Sequence, residues 1–227
     1  MLVVWYPDWP VVAQGHAADE PVAVVEAGRV VACSVAARAE GVERGLRRRQ
    51  AEARCPALSV IDRDLAAEAR AFEPVVAAAE SFTPRVEILR PGACAFATRG
   101  PSRYHGGDEA LAAQVSEAIA GCRVGVADGR FAAERAARRG LAGLRGPNAM
   151  IVPPGESGAF LAPFPVTTLP VDDRVADLPD LLVRLGVLTL GDFAALPARA
   201  VLARFGHDGV SAHRLARGLD ERPLHAR

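Results

Sequence analysis

The sequence predicts an α+β fold in which a ferredoxin-like layer, an antiparallel-rich sheet backed by two helices, is interrupted by an inserted ββαα piece and followed by an all-helical tail. Three observations carry that prediction. The chain opens on "MLVVWY", a β-branched and aromatic run without charge. Residues 66–165 then alternate helical and extended patterns in the order α-β-β-α-β-α-β. After Pro165 extended runs disappear, and Leu and Ala recur at helical spacing, which places a domain boundary near residues 164–168.

Each element has a local reason. "PDWP" breaks the first strand, whose period of two puts Val3, Trp5 and Pro7 on one face and Val4, Tyr6 and Asp8 on the other. "VAVV" (22–25) and "VVACS" (30–34) form a hairpin around "EAGR". From Ala36 the period turns helical, with Gly41, Gly45 and Pro56 punctuating two short helices, the second over Leu46–Arg54. Leu65–Ala79 is an amphipathic helix with Phe72, Val75 and Val76 on one side. "VEILRPGACAFATRG" reads as two strands around a Pro-Gly break. "GGDEALAAQVSEAIAG" is a helix with acids in its first turn and Gly121 closing it. "CRVGVA" is a strand, "RFAAERAARRG" a helix capped by Gly140, and "AMIVPPGE" a strand stopped by two prolines. The tail divides into four short helices at Gly186-Val187, Pro197 and Gly206.

Composition narrows the function classes. The 227 residues are 50% hydrophobic but only 5% aromatic, so the core is aliphatic and Ala-rich. Net charge is +0, from 27 basic and 27 acidic residues, so the global balance by itself predicts no nucleic-acid partner. All the basic residues are arginine, a signature of high-GC coding. Every cation is thus a planar fork suited to carboxylate or phosphate, with no lysine for Schiff-base chemistry. Cys33, Cys55, Cys94 and Cys122 lie far apart without metal spacing, which predicts free buried thiols and no zinc site. No leader or long apolar run is present, so the expected location is cytoplasmic.

Three motifs now stand in register. "RVVACSVAARAEGVERGLRRRQAEARCP" resembles the fingers of Y-family (translesion) DNA polymerases, "VGVADGRFAAERAA" resembles their palm segment, and "LVRLGVLTLGDFAALPARAVLARFG" resembles their thumb. The resemblance implies a palm at 1–9 and 75–165, fingers at 10–74 and a helix-hairpin-helix-type thumb at 166–227, with the family's little-finger domain outside this chain. It also implies three Mg²⁺-binding carboxylates on the palm. Laid on this chain, those positions fall on Trp5, Gly92 and Ala93, none of which can ligate a hard cation. Asp8, Glu87 and Asp108 do not rebuild the set. Arg38 matches the family's triphosphate-contacting arginine, and a structural ion pair explains it equally well.

This pattern is similar to ImuB-type members, which implies a non-enzymatic adaptor in DNA-damage-induced mutagenesis, nucleoid-associated and without a cofactor. Its implied partners are the sliding clamp, an error-prone replicative-type polymerase and a RecA-like accessory protein, mostly through regions beyond residue 227. Weak, sequence-independent DNA contact is expected through thumb and fingers, in the thumb by Arg184, Gly186, Thr189, Gly191, Arg199, Arg204, Arg214 and Arg217, with the amides of Gly186–Gly191 holding phosphate. The thumb hairpin "PVDDRV" (170–175) lacks glycine and gains two acids, which argues against phosphate there. The basic run "RGLRRRQ" (44–50) reads first as the solvated face of its helix. The five histidines, His16, His105, His207, His213 and His225, share no spacing and receive no role. Two other readings stand beside the adaptor: a nucleotidyltransferase with relocated carboxylates, and an unrelated α+β interaction domain.

Overall fold

The computed structural model describes residues 1–139, 148–170 and 177–220. The proposed Gly140 cap, most of the 170–175 hairpin and His225 lie outside the described residues.

Strand β1 (Leu2–Trp5) is the spine of the molecule. It lies in a five-stranded sheet of order β5-β6-β1-β7-β8, built with β5 (Glu87–Arg90), β6 (Ala93–Phe96), β7 (Arg123–Val126) and β8 (Ala149–Ile151). β1 pairs antiparallel with β6 (Val3↔Ala95, Trp5↔Ala93) and with β7 (Val3↔Gly125). Within this sheet β7 and β8 alone run parallel, with helix α7 (Arg130–Arg139) between them in the chain. A charge-free strand is what such a central position demands, because both edges and both faces are covered.

The period-two reading of β1 holds. Leu2 and Val4 face a core that includes Phe72, Ala79, Leu111 and Val115, supplied by α4 (Leu65–Glu80) and α6 (Asp108–Ala118). Val3 and Trp5 face the other way, toward α7 and the C-terminal helices. Helix α7 lies unusually close to the sheet: a Cβ on Gly125 would overlap the Ala133 carbonyl oxygen, so glycine sets the spacing.

Between β1 and α4 the chain builds a second layer. Helix α1 (Trp9–Val12) leads to β2 (Val22–Glu26) and β3 (Arg29–Cys33), which pair as the expected hairpin. Helices α2 (Val35–Ala39) and α3 (Arg48–Arg54) follow. Strand β4 (Ser59–Asp62), which the sequence did not reveal, returns parallel to β2 and gives the order β3-β2-β4. Its four residues alternate weakly, and its pairing rather than its composition makes it a strand. Helix α4 is continuous across residues 74 and 75, with Asp64 capping its first turn.

Two further short helices are also new: α5 (Pro101–His105) and α8 (Ser157–Leu161). The tail holds α9 (Leu178–Arg184), α10 (Leu190–Ala194) and α11 (Ala198–Ala216), the last broken by non-helical geometry at Gly206. That break yields the four helical segments expected. Phe193, Leu190, Leu182 and Val201 join this tail to the Val3/Trp5 side of the sheet in one core. Asp220 closes the unit by accepting the Phe131 N–H of α7 at 2.9 Å.

Candidate functional site

A cleft of about 320 Å³ opens between the two sheets. One wall is the end of β1 with α1, another is the β5–β6 turn at Pro91-Gly92, and arginines from four other stretches complete it. Of the three positions to which the resemblance assigned metal ligands, Trp5 and Gly92 line the cleft and Ala93 lies buried beside them. Trp5 pairs with Ala93 across β1 and β6, and the Gly92 carbonyl accepts the Tyr6 N–H at 2.8 Å.

Each of these positions is closed by a specific neighbour. Trp5 is nearly buried, and the Arg138 guanidinium lies 5.1 Å from its ring centroid. Gly92 has φ +85°, and a Cβ there would fall 2.6 Å from Trp9 Cγ and closer still to Trp9 Cβ. Ala93 is fully buried. Trp9 donates its indole N–H to the Glu68 carbonyl at 3.1 Å and packs edge-on to Tyr6 and Phe72.

The cleft carboxylates are engaged. Asp8, in left-handed geometry at φ 51°, receives Arg38 at 2.5 Å, tying the β1 end to the second layer. Burial lowers the Arg38 pKa, but the hydrogen bond and charge of Asp8 outweigh it and the net direction is upward. Arg38 thus makes an ion pair with Asp8, the arrangement the sequence offered beside triphosphate contact. Buried Glu68 accepts both arms of Arg63, at 2.8 and 3.0 Å, and Arg63 also reaches Glu26. Glu134 on α7 gathers Arg90 (2.7 Å), Arg138 (2.8 Å) and Arg135 (3.8 Å). Burial alone would raise the Glu134 carboxyl, and the surrounding arginines override it and hold it low. Burial pushes Arg138 down to about 10, with Arg90 and Arg135 adding to the effect against Glu134.

These donors do not fit a pair of divalent cations. Among the described residues no group of three or more His, Cys, Asp or Glu side chains is arranged to hold a metal ion. The nearest acids already satisfy guanidinium partners.

In the tail the expected contact residues divide among three places. Arg184 and Thr189 flank the α9–α10 turn, with Gly186 at φ +82° inside it. Arg199 and Arg204 are exposed on the first arm of α11, while Arg214 and Arg217 lie beyond the Gly206 break. One expectation is corrected here. The amides of Gly186–Gly191 do not wait for phosphate. Gly186 and Val187 donate to Val183 and Leu182, Leu190 to Phe164, and Gly191 to Ala162. Thr189 N–H donates to Asp192, whose own N–H returns to Thr189 Oγ1 in a capping box. Five of the six amides from Gly186 to Gly191 are thus engaged within the fold. A sequence signal for this existed, since Thr189-x-x-Asp192 is the spacing of a closed cap.

The sheet order, the inserted second layer and the helical tail define the fold of a Y-family polymerase core. Across its full length the chain superimposes on a Dbh ternary complex (TM-score 0.74, 17% identity, 69% of that chain) and on DinB from Sulfolobus solfataricus (TM-score 0.71, 19% identity, 70% of that chain). The impB/mucB/samB family profile matches residues 11–138, more than half of the chain, and the chain belongs to that family.

Named relatives agree. The DNA polymerase IV of Dehalococcoides mccartyi is 28% identical over 216 residues, 91% of this chain and 54% of the relative. That of Pseudomonas putida is 28% identical over 204 residues, 87% and 56%. The chain thus spans about half the length of these relatives. The family match removes the reading of an unrelated interaction domain.

The comparisons also correct the expectation that the chain is not an enzyme, because the relatives are named as a polymerase. That expectation rested only on the side chains at Trp5, Gly92 and Ala93. Among the described residues, no helix is long and apolar enough to cross a membrane.

Proposed function

We propose that this chain is the DNA-engaging core of a translesion-synthesis protein of ImuB type, with palm 1–9 and 75–165, fingers 10–74 and thumb 166–227, acting as an adaptor in DNA-damage-induced mutagenesis. The observation that carries the reading is the Y-family fold over the whole chain, joined to a palm floor where Arg138 covers Trp5 and Trp9 closes Gly92. DNA contact is weak and independent of sequence. It runs through Arg184, Arg199, Arg204, Arg214 and Arg217, whose planar forks match phosphate. Gly186, Thr189 and Gly191 shape the turn that presents Arg184.

The adaptor role concerns what the chain holds together: DNA, a sliding clamp, an error-prone replicative-type polymerase and a RecA-like accessory protein. Two measurements test the reading. Fluorescence anisotropy with a primer-template should give a Kd of about 10⁻⁶ to 10⁻⁴ M that weakens steeply with salt, and no binding at low salt defeats the DNA assignment. In a reconstituted bypass reaction containing the three partner proteins, adding this protein should raise lesion bypass. An unchanged yield defeats the adaptor role.

A further inference from the structure

β5 ends the five-stranded sheet, so its outer row of N–H and C=O groups has no strand partner among the described residues. Ile88 of β5 stands opposite Cys94 of β6, which belongs to the core beneath α4 and α6. Residues paired across a ladder share a face, so Ile88 points to that same side. Cys94 is fully buried there, yet Ile88 is 36% exposed. The apolar face of the sheet therefore runs past the cover that α4 provides.

The uncovered strip is one side of a groove of about 400 Å³. Its other side is a stripe of α4 at helical spacing: Ala69, Phe72, Glu73, Val76, Ala77 and Glu80. The small side chains at 69 and 77 keep it open, and Phe72 is buried at its base. Glu73 and Glu80 are both exposed, and the side chain of neither makes an ion pair or hydrogen bond among the described residues. No basic side chain lines the groove. Pro91 lines it as well as the central cleft, and the two hollows are opposite in character: the cleft is rich in arginine, the groove apolar and acidic.

We propose that this groove docks an extended segment of a partner protein, which joins β5 as a further strand, lays an apolar side chain against Val76 and Ile88, and sets basic side chains on Glu73 and Glu80. Three features select that occupant. The open groups of β5 match another extended backbone, whose N–H and C=O groups repeat at the same interval. Every second side chain of an added strand then lies over the groove. The two acids stand two helical turns apart, about 10.5 Å, within reach of long cationic side chains four residues apart on a strand, a span of about 13–14 Å. An acidic lining without arginine repels phosphate, so the occupant is a polypeptide and not a nucleic acid. The proposal goes beyond the DNA-engaging reading and does not depend on it.

The probe is the blocked peptide acetyl-Arg-Thr-Leu-Thr-Arg-amide, titrated to millimolar concentration into isotope-labelled protein while backbone amide chemical shifts are followed. Saturable shifts confined to residues 69–80 and 87–90 are expected. E73Q/E80Q removes two exposed ion pairs and should weaken the peptide by about fivefold. I88R puts a cation into the groove and should abolish binding. Of two peptides N-methylated at alternate amides, the one methylated on the ladder side should lose binding and the other should keep it. Each variant is checked for wild-type circular dichroism, thermal midpoint and primer-template binding, so that failure here is separate from failure of the DNA-engaging reading. Absence of saturable shifts, shifts centred elsewhere, or equal binding of the charge-reversed peptide with Glu in place of both Arg overturns the proposal. So does displacement of the probe by a peptide of residues 221–227, which makes the chain its own occupant, or a wild-type dimer that I88R dissociates, which makes the occupant a second copy.

Discussion

Gly92 gives the sharpest test of how the cleft floor is closed. Substituting alanine adds one methyl group and introduces two separable penalties. The first is conformational: φ is +85°, and an L-residue held in left-handed geometry costs about 1–2 kcal/mol. The second is steric. The new Cβ would sit 2.6 Å from Trp9 Cγ and overlap Trp9 Cβ, well inside the ordinary contact range. Trp9 cannot swing aside, because Tyr6 and Phe72 hold its ring and Glu68 its N–H. Overpacking of this kind costs about 1–3 kcal/mol.

The sum is about 2–5 kcal/mol, a large share of the 5–15 kcal/mol that typically separates folded from unfolded chains. At this chain length it corresponds to a fall in Tm of about 4–20 °C. Gly15 supplies the control, since it has φ +79° but nothing within 4 Å of an added Cβ. Gly15→Ala should therefore show the conformational penalty alone. Urea unfolding followed by circular dichroism, run on both variants, separates the terms. If Gly92→Ala is no more destabilising than Gly15→Ala, Trp9 does not close the floor and the packing argument is wrong.

Other outcomes follow from the same contacts. Glu68→Ala leaves the partly buried Arg63 without its bidentate acceptor and should cost about 2–4 kcal/mol in urea unfolding, whereas loss of a merely exposed pair would cost under 1. Tyr6 is pushed up to about 12, first by burial and then by Cys122 and Cys94, so phenolate absorbance should show it ionising only near that pH. Because the folded value exceeds the unfolded one, its contribution to stability is complete below about pH 10 and is lost as pH rises toward 12. The four cysteines are free and buried, with Cys94 and Cys122 driven to about 12 by burial, so a thiol reagent should label none rapidly in the native protein and all four in denaturant. Thr189→Ala removes one arm of the α10 capping box and should cost about 1 kcal/mol in the same unfolding assay.

The fold was legible wherever burial imposes a period. β1 alternates because its two faces meet different helices, and α4 and α6 show a stripe because they lie on one side of the sheet. What escaped was short or dictated by partners. α1, α5 and α8 have four or five residues, fewer than two turns, so no stripe can develop. β4 has Ser59 and Asp62 exposed at its ends and owes its extended form to parallel pairing with β2, a contact made across some 37 residues of sequence.

The site was legible in residue types but not in their pairing. The family resemblance placed Trp5, Gly92 and Ala93 together, and the pairing of β1 with β6 brings Trp5 and Ala93 side by side. The sequence could not show that Asp8 would be taken by Arg38 thirty residues later, or that Glu134 would gather Arg90 from 44 residues upstream. Those pairings decide the chemistry of the cleft. An unpaired Asp8 is a candidate cation ligand, and a paired one is a brace between two layers. The same logic reverses the reading of the thumb turn, where glycines suggested open amides and tertiary contacts with Phe164 and Ala162 had already used them.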